Sequence, residues 1–384
     1  MDFDLTSEQQ LLSESAQRFV REQHAFENRA QRNADRDGHR RRMWGKFAEL
    51  GWLALPFAED DGGIGCGAIE TMLLMQALGR GLVNSAYLMA AIVGGEILRR
   101  ADQSAHRKPR IAAVIDGSCA LAIAHAEPAS RYDLARVATT AQRTSPGWTL
   151  NGEKCIVLNG EHADQLIVAA RTSGAVNEAR GITLFLVPGT AIGIVRRGYP
   201  LLDGGRGADI AFVEVTVAAD AIIGEIDQGL PILEAAVDIG IAALGAEALG
   251  IMDALIELTI AHCQTRVQFG QPIGKFQVLQ HRMVDMFMET EQTRSLVYLA
   301  NIRLAEMGAG TSAAKEAISA MKAHIGKAGR FVAQEAIQLH GGMGMTDDLI
   351  VGHYFKRLTA IDAMFGNVDL HLKRFAALRA ANEM

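Results

Sequence analysis

The stretch IGIAALGAEALGIMDAL, residues 239–255, is apolar or small almost throughout, yet it carries Glu247 near its middle. A carboxylate on an apolar helix face costs desolvation energy unless it has a partner or a task. On a helix its neighbours are Ala243, Leu244, Gly250 and Ile251. The other acids of the segment, Glu234, Asp238, Asp253 and Glu257, centre on an arc about 150° away, the expected wet face. Two readings stay open. Glu247 is a general base in a water-poor site, where desolvation raises a carboxylate's pKa towards the working range. Or it is a buried acid paired to an arginine or a backbone group across a helix bundle. On the first reading Gly245, Ala246 and Gly250 leave room for a wide substrate.

A second set of residues suits anion binding. TRVQFGQPIGKFQ (265–277) gathers Arg266, Gln268 and Gln277 around Phe269, and QLHGGMG (338–344) runs from Gln338 into Gly341-Gly342. Closely approaching backbone, amide donors and a planar cation fit a pyrophosphate, although helix caps and turns use the same residue types. GGIGCGA (62–68) imitates a dinucleotide-binding glycine loop, but it follows PFAEDD instead of a buried strand and lacks the downstream acid. It is read as a chain-turning loop. His262, His281, His340 and His353 show no metal-ligand spacing, so metal catalysis is not expected.

The elements that must position these residues fall into three regimes. From Leu5 to Gly117 apolar residues recur at helical spacing, and Thr6 with Gln9 forms a capping box. ETMLLMQALGRGLV and AYLMAAIVGGEILRRA are further helices. From 118 to 228 the period becomes two, with strands in GWTLNGEKCIVLNG, QLIVAART, GITLFLVPG and DIAFVEVTV, and a hairpin is expected at Asn151-Gly152. From 229 to 384 long helices return, at about 231–263, 273–306, 311–340 and 360–382, which suggests an antiparallel four-helix bundle. The expected architecture is mainly α with a central antiparallel β domain: 1–117 helical, 118–228 β, 229–384 bundle.

Composition narrows the class. The chain has 384 residues, more than one compact core usually supports, and a formal charge of −6, which argues against nucleic acid as a partner. Four dispersed cysteines read as free thiols in a cytoplasmic protein. The acidic start MDFDLTSEQQLL does not resemble a signal peptide, and no uncharged apolar run reaches the roughly 18 residues of a membrane span.

Five segments in order, ELGWLALPFAEDDGG (49–63), LNGEKCIVLNG (150–160), ADQLIVAART (163–172), RVQFGQPIGKFQVLQH (266–281) and AIQLHGGMGMTDD (336–348), resemble the acyl-CoA dehydrogenase family over essentially the whole chain. The nearest likeness is to the small subunits of heteromeric pimeloyl-CoA-dehydrogenase-type enzymes. The resemblance implies the same three-domain fold and FAD as cofactor, with Arg266, Phe269, Gln277, Gln338, Gly341 and Gly342 on its adenosine diphosphate half. It implies an acyl-CoA thioester as substrate and a trans-2-enoyl-CoA as product. An electron acceptor such as an electron-transfer flavoprotein completes the cycle.

The family pattern also breaks in this chain. The usual catalytic glutamate falls on Phe365, and the alternative position on the first bundle helix falls on Gly240. The loop that reads TEPGAGSD in the family is AEPASRYD (126–133), and its Trp-Ile-Thr is Ile156-Val157-Leu158. These departures leave Glu247 as the candidate base and Arg131 as the candidate for a distal substrate carboxylate. They also imply a paralogous partner subunit in an α2β2 assembly, or a silent subunit that completes that partner's FAD site.

Overall fold

A computed structural model describes residues 5–28, 36–101, 107–145 and 147–382. Among the described residues, ten α-helices precede and follow a middle β region along the chain. In chain order the helices are α1 (Ser7–Gln23), α2 (Arg36–Glu49), α3 (Ala68–Arg80), α4 (Gly95–Arg100), α5 (Arg107–Ile115), α6 (Gly229–Thr265), α7 (Gln277–Met307), α8 (Ser312–His340), α9 (Ile350–Ala363) and α10 (Val368–Asn382). The capping box opens α1: Thr6 Oγ1 accepts from the Gln9 N–H, and the Gln9 side chain accepts from the Thr6 N–H. The segment before α4, Leu88–Gly94, is π-helical instead of continuing as α. There Gly95 lies so close to the Phe57 ring that a Cβ would sit 2.8 Å from it.

One eight-stranded sheet holds β1 (Leu121–Ala124), β2 (Thr140–Thr144), β3 (Gly147–Leu158), β4 (Gln165–Arg171), β5 (Ile182–Pro188), β6 (Ile194–Pro200), β7 (Arg206–Ala218) and β8 (Ile222–Ile223). The order is β6-β7-β3-β2-β4-β5-β8, with β1 beside β4. Most pairings are antiparallel as expected, but β4 runs parallel to both β1 and β2. The expected hairpin at Asn151-Gly152 is instead an irregularity inside β3, and the β2–β3 pairing closes at Thr144↔Gly147. Asn151 is still paired with Thr140. Gly152 has φ +150°, and a Cβ there would lie 2.6 Å from Thr139 Cα, so the glycine serves a bulge. Leu150, Val168, Phe185, Ile210 and Val215 fill the sheet core, where Trp148 meets Phe185 edge-on at 5.5 Å. Arg171 is buried and donates to the carbonyls of Val137, Ala135, Val176, Glu178, Arg180 and Ser173, which ties the loops at the C-terminal end of β4 together.

The chain divides into two compact units that do not follow linear order. One comprises described residues of 1–35, 68–83 and 241–384, so α1 and α3 group with the C-terminal helices. The other comprises 36–67 and 84–240 and contains the sheet. Helix α6 is apolar enough by length and composition to cross a membrane, but 83% of its apolar window is buried within the protein, as in a core helix. The expected last helix is two, α9 and α10, broken where Phe365 (φ +55°) and Gly366 (φ +109°) enter left-handed conformations.

Candidate functional site

The two sequence motifs at 265–277 and 338–344 meet at one end of the helical unit. His262 near the end of α6 stacks on His340 at the end of α8, ring centroids 4.4 Å apart. Arg282 in α7 pairs with Glu335 in α8. These contacts fix where Arg266, Gln277 and Gln338 emerge. Between α6 and α7 a two-stranded hairpin, β9 (Val267–Gln268) and β10 (Gln271–Pro272), turns through Phe269 and Gly270. Both turn residues have positive φ, +50° and +80°, the pattern of a type I′ turn. Phenylalanine in that conformation is strained, and its side chain is 92% exposed. Among the described residues the side chains of Arg266, Gln277 and Gln338 make no hydrogen bond or ion pair. A Cβ on Gly341 or Gly342 would meet nothing within 4 Å. Uncommitted amide and guanidinium donors, an exposed ring and open space over two glycines fit a dinucleotide's diphosphate and base.

Glu247 lies elsewhere in the same unit and is not an open carboxylate. Arg357 on α9 donates from Nε to Oε1 at 2.6 Å and from Nη2 to Oε2 at 2.8 Å, a bidentate fork. The side chains are 9% and 14% exposed. The small residues around Glu247 do not leave room for a substrate, contrary to expectation. A Cβ on Gly250 would lie 2.0 Å from the Gln76 carbonyl oxygen, one on Gly79 would lie 2.2 Å from the Glu247 carbonyl oxygen, and one on Gly245 would meet Met321 Sδ at 2.5 Å. They are spent on close helix packing. The supposed wet arc is also partly dry: Asp238 is 1% exposed, and Asp253 pairs with Arg294 at 2.6 Å.

Phe365 stands at the α9–α10 break, where two buried side chains hold the backbone. Lys322 Nζ donates to the carbonyls of Asp362 (2.9 Å) and Gly366 (2.6 Å). His371 Nε2 donates to the carbonyl of Phe365 at 3.0 Å. Burial pushes the Lys322 amine down to about 8, with Asp362 opposing the shift. Burial and the nearby Lys322 lower His371 to about 4, so its ring is neutral. Met364 Sδ touches Arg357 Nη1 at 3.8 Å, which links this turn to the Glu247 pair.

In the sheet-bearing unit, the AEPASRYD loop is pinned by a buried pair. Lys154, fully buried in β3, donates to Glu127 Oε1 at 2.8 Å, and the Glu127 carboxylate also accepts from the N–H groups of Ala138 (2.7 Å) and Thr139 (2.9 Å). Burial lowers Lys154 to about 8 against the pull of Glu127. Burial works against the Glu127 anion, but Lys154 and the hydrogen bonds hold its pKa below the ordinary carboxylate value. Arg131 is exposed in this loop with φ +48°. Ile156 sits in a β3 bulge at φ +50°, 58% exposed, its N–H directed at Tyr199 Oη (3.2 Å) and Asp209 Oδ1 (3.3 Å). A β-branched residue in that region is an outlier that the surroundings must enforce.

Sequence reasoning missed Lys154, Lys322 and Arg357. The first two carried a readable signal, since each is a cation at an inward position of an apolar periodicity: Lys154 four residues after Leu150, and Lys322 between Ile318 and Ile325. Arg357 carried none, because its partner is 110 residues away.

Family models described as the N-terminal, middle and C-terminal domains of acyl-CoA dehydrogenase match residues 6–118, 122–216 and 227–378. Mitochondrial isovaleryl-CoA dehydrogenase of Pongo abelii is 29% identical over 92% of this chain and 84% of its own length. Acryloyl-CoA reductase (NADH) of Anaerotignum propionicum is 27% identical over 97% and 94%. The solved FAD complex of PigA is 26% identical with a TM-score of 0.87, covering 99% of this chain and 100% of that one.

Proposed function

This chain belongs to the acyl-CoA dehydrogenase family, and we propose that it is one subunit of a heteromeric, FAD-dependent enzyme that dehydrogenates an acyl-CoA thioester to a trans-2-enoyl-CoA, with a paralogous subunit supplying the base. The observation that carries this reading is the fork between Arg357 and Glu247: both carboxylate oxygens accept from one guanidinium and are not presented to a substrate. Phe365 and Gly240 stand where the family resemblance places the base. Glu247 is then a structural acid, and an α2β2 assembly is the natural arrangement.

The chain's own contribution is binding. Arg266 and the amides of Gln277 and Gln338 would hold the diphosphate, the N–H groups of Gly341 and Gly342 would approach it, and Phe269 would cover the adenosine side. Bound flavin would supply a hydride acceptor for the substrate's β-carbon. Arg131, exposed in the AEPASRYD loop, is the candidate contact for a distal carboxylate on the acyl chain. The four cysteines form no disulfide among the described residues, which suits a reducing, cytoplasmic setting, and an electron-transfer flavoprotein is the proposed acceptor.

The test is co-expression with a paralogue that keeps the glutamate and the TEPGAGSD-like loop. The visible flavin band and acyl-CoA turnover are measured for each chain and for the pair. Flavin and turnover are expected in the pair, with turnover retained when this chain carries Glu247→Gln. Stoichiometric FAD with turnover in this chain alone defeats the heteromer. Loss of turnover in Glu247→Gln with flavin retained restores Glu247 as the base.

A further inference from the structure

Helix α6 ends at Thr265 and α8 at His340, and the His262–His340 stack brings the two ends together. A helix C-terminus carries partial negative charge. It is a poor setting for an anion, whose usual seat is a helix N-terminus. Yet Arg266, Gln338, Gly341 and Gly342, the residues that suit a diphosphate, lie at or just beyond these two ends. Each phosphate of a dinucleotide carries a negative charge, and of these residues only Arg266 is a permanent cation. A second positive charge is called for, and His262 is placed to supply it. It precedes Arg266 by about one helical turn, and the Arg266 N–H donates to its carbonyl at 2.9 Å. Its ring is half-buried and, among the described residues, makes no hydrogen bond or ion pair.

The surroundings set its charge. His340 is the more deeply buried ring, and its Nδ1 donates to the Ala336 carbonyl at 2.8 Å. Burial lowers the His340 pKa against the pull of the Ala336 and Leu258 carbonyls. Burial, His340 and Arg266 all push the His262 imidazole below its ordinary value. The other charged groups at this end leave that balance in place. Arg282 of α7 is committed to Glu335 of α8, His281 of α7 is exposed, and Lys275 is exposed in the turn whose Gly274 lies against Cys263. With only cations acting on it, His262 is neutral near pH 7. A diphosphate beside Arg266 reverses the local potential and favours the imidazolium.

We propose that His262 is a further binding residue of the diphosphate site: it takes up a proton from solvent as the anion binds, and meets it as an imidazolium stacked on neutral His340. This role rests on the cofactor reading above. The pKa of the bound state then lies above that of the free state. Affinity is therefore greatest below the free-state pKa and falls away as pH rises through the bound-state one.

The experiment is isothermal titration calorimetry of the full chain with ADP-ribose, a diphosphate diester with no group that titrates near neutral pH, so the protons counted belong to the protein. Titrations near pH 7 in two buffers of different ionisation enthalpy give the proton number. Wild type should take up about half a proton or more per ligand and bind about five- to tenfold tighter at pH 6 than at pH 8. His262→Phe keeps a ring on His340 but cannot titrate, so both the uptake and the gain at pH 6 should disappear. His262→Gln should behave alike, and unchanged melting temperatures serve as the folding control. In histidine-labelled protein, the NMR signal absent from both variants should titrate at higher pH once ADP-ribose is added. Arg266→Ala should weaken binding at least tenfold. Binding that needs Arg266 but takes up no proton overturns the proposal and leaves the cofactor reading standing, as does uptake that persists in both His262 variants. No wild-type binding up to millimolar ADP-ribose removes the cofactor reading, and this role with it.

Discussion

The Glu247–Arg357 pair can be tested by a double-mutant cycle. The two hydrogen bonds, 2.6 and 2.8 Å, join side chains only 9% and 14% exposed, so neither charge has much water to fall back on. Arg357→Met keeps the stem's packing but strands a buried carboxylate, at a cost of about 3–5 kcal/mol. Glu247→Leu removes the acceptor of both fork hydrogen bonds and should cost a similar amount. The double variant removes both charges and replaces them with apolar volume, which is typically neutral or mildly stabilising, so it should lie within about 2 kcal/mol of wild type. The implied coupling is about 4 kcal/mol or more, far above the scatter of independent sites. The assay is urea unfolding followed by far-UV circular dichroism. Trp44, Trp52 and Trp148 all belong to the sheet-bearing unit, so their fluorescence would report the wrong region. An Arg357→Met cost under about 1 kcal/mol, or additive single effects, would refute the reasoning: the carboxylate would then be loosely held and free to act as a base.

Other perturbations follow from the same contacts. Gly250→Ala forces a Cβ onto the Gln76 carbonyl at 2.0 Å and should destabilise the protein by about 1–3 kcal/mol in the same unfolding assay. Lys322 has a folded pKa of about 8 against an ordinary 10.5; from pH 8 to 10.5 the unfolded chain keeps a proton that the folded chain has released, so stability rises with pH by up to about 3 kcal/mol. Lys322→Met should flatten that rise relative to wild type, as thermal melts at pH 7.5 and 10 would show. Arg266→Ala and Phe269→Ala should each reduce flavin retained by the complex after gel filtration by tenfold or more, leaving the melting temperature of the flavin-free protein within about 2 °C. A loss of stability with flavin retained would make these residues structural.

Much of the architecture was legible in one dimension because its causes are local. The capping box at Thr6 and Gln9, the long apolar periodicities of α6 and α8, and the change of period near residue 118 are each set by residues within a few positions of one another. The Asn151-Gly152 signal failed because its neighbours across the sheet decide between turn and bulge: Thr139 crowds Gly152, and the β2–β3 pairing closes elsewhere. The motifs around Arg266 and Gly341 announced their residue types, whereas their convergence depends on the His262–His340 stack and the Arg282–Glu335 pair. Glu247 marks the boundary. Its place on an apolar helix face follows from spacing alone, and so does the conclusion that it needs a partner or a task. Which of the two it has was decided by a guanidinium brought from α9 across 110 residues of chain, because desolvated charges select their partners by distance in space and periodicity carries no record of that.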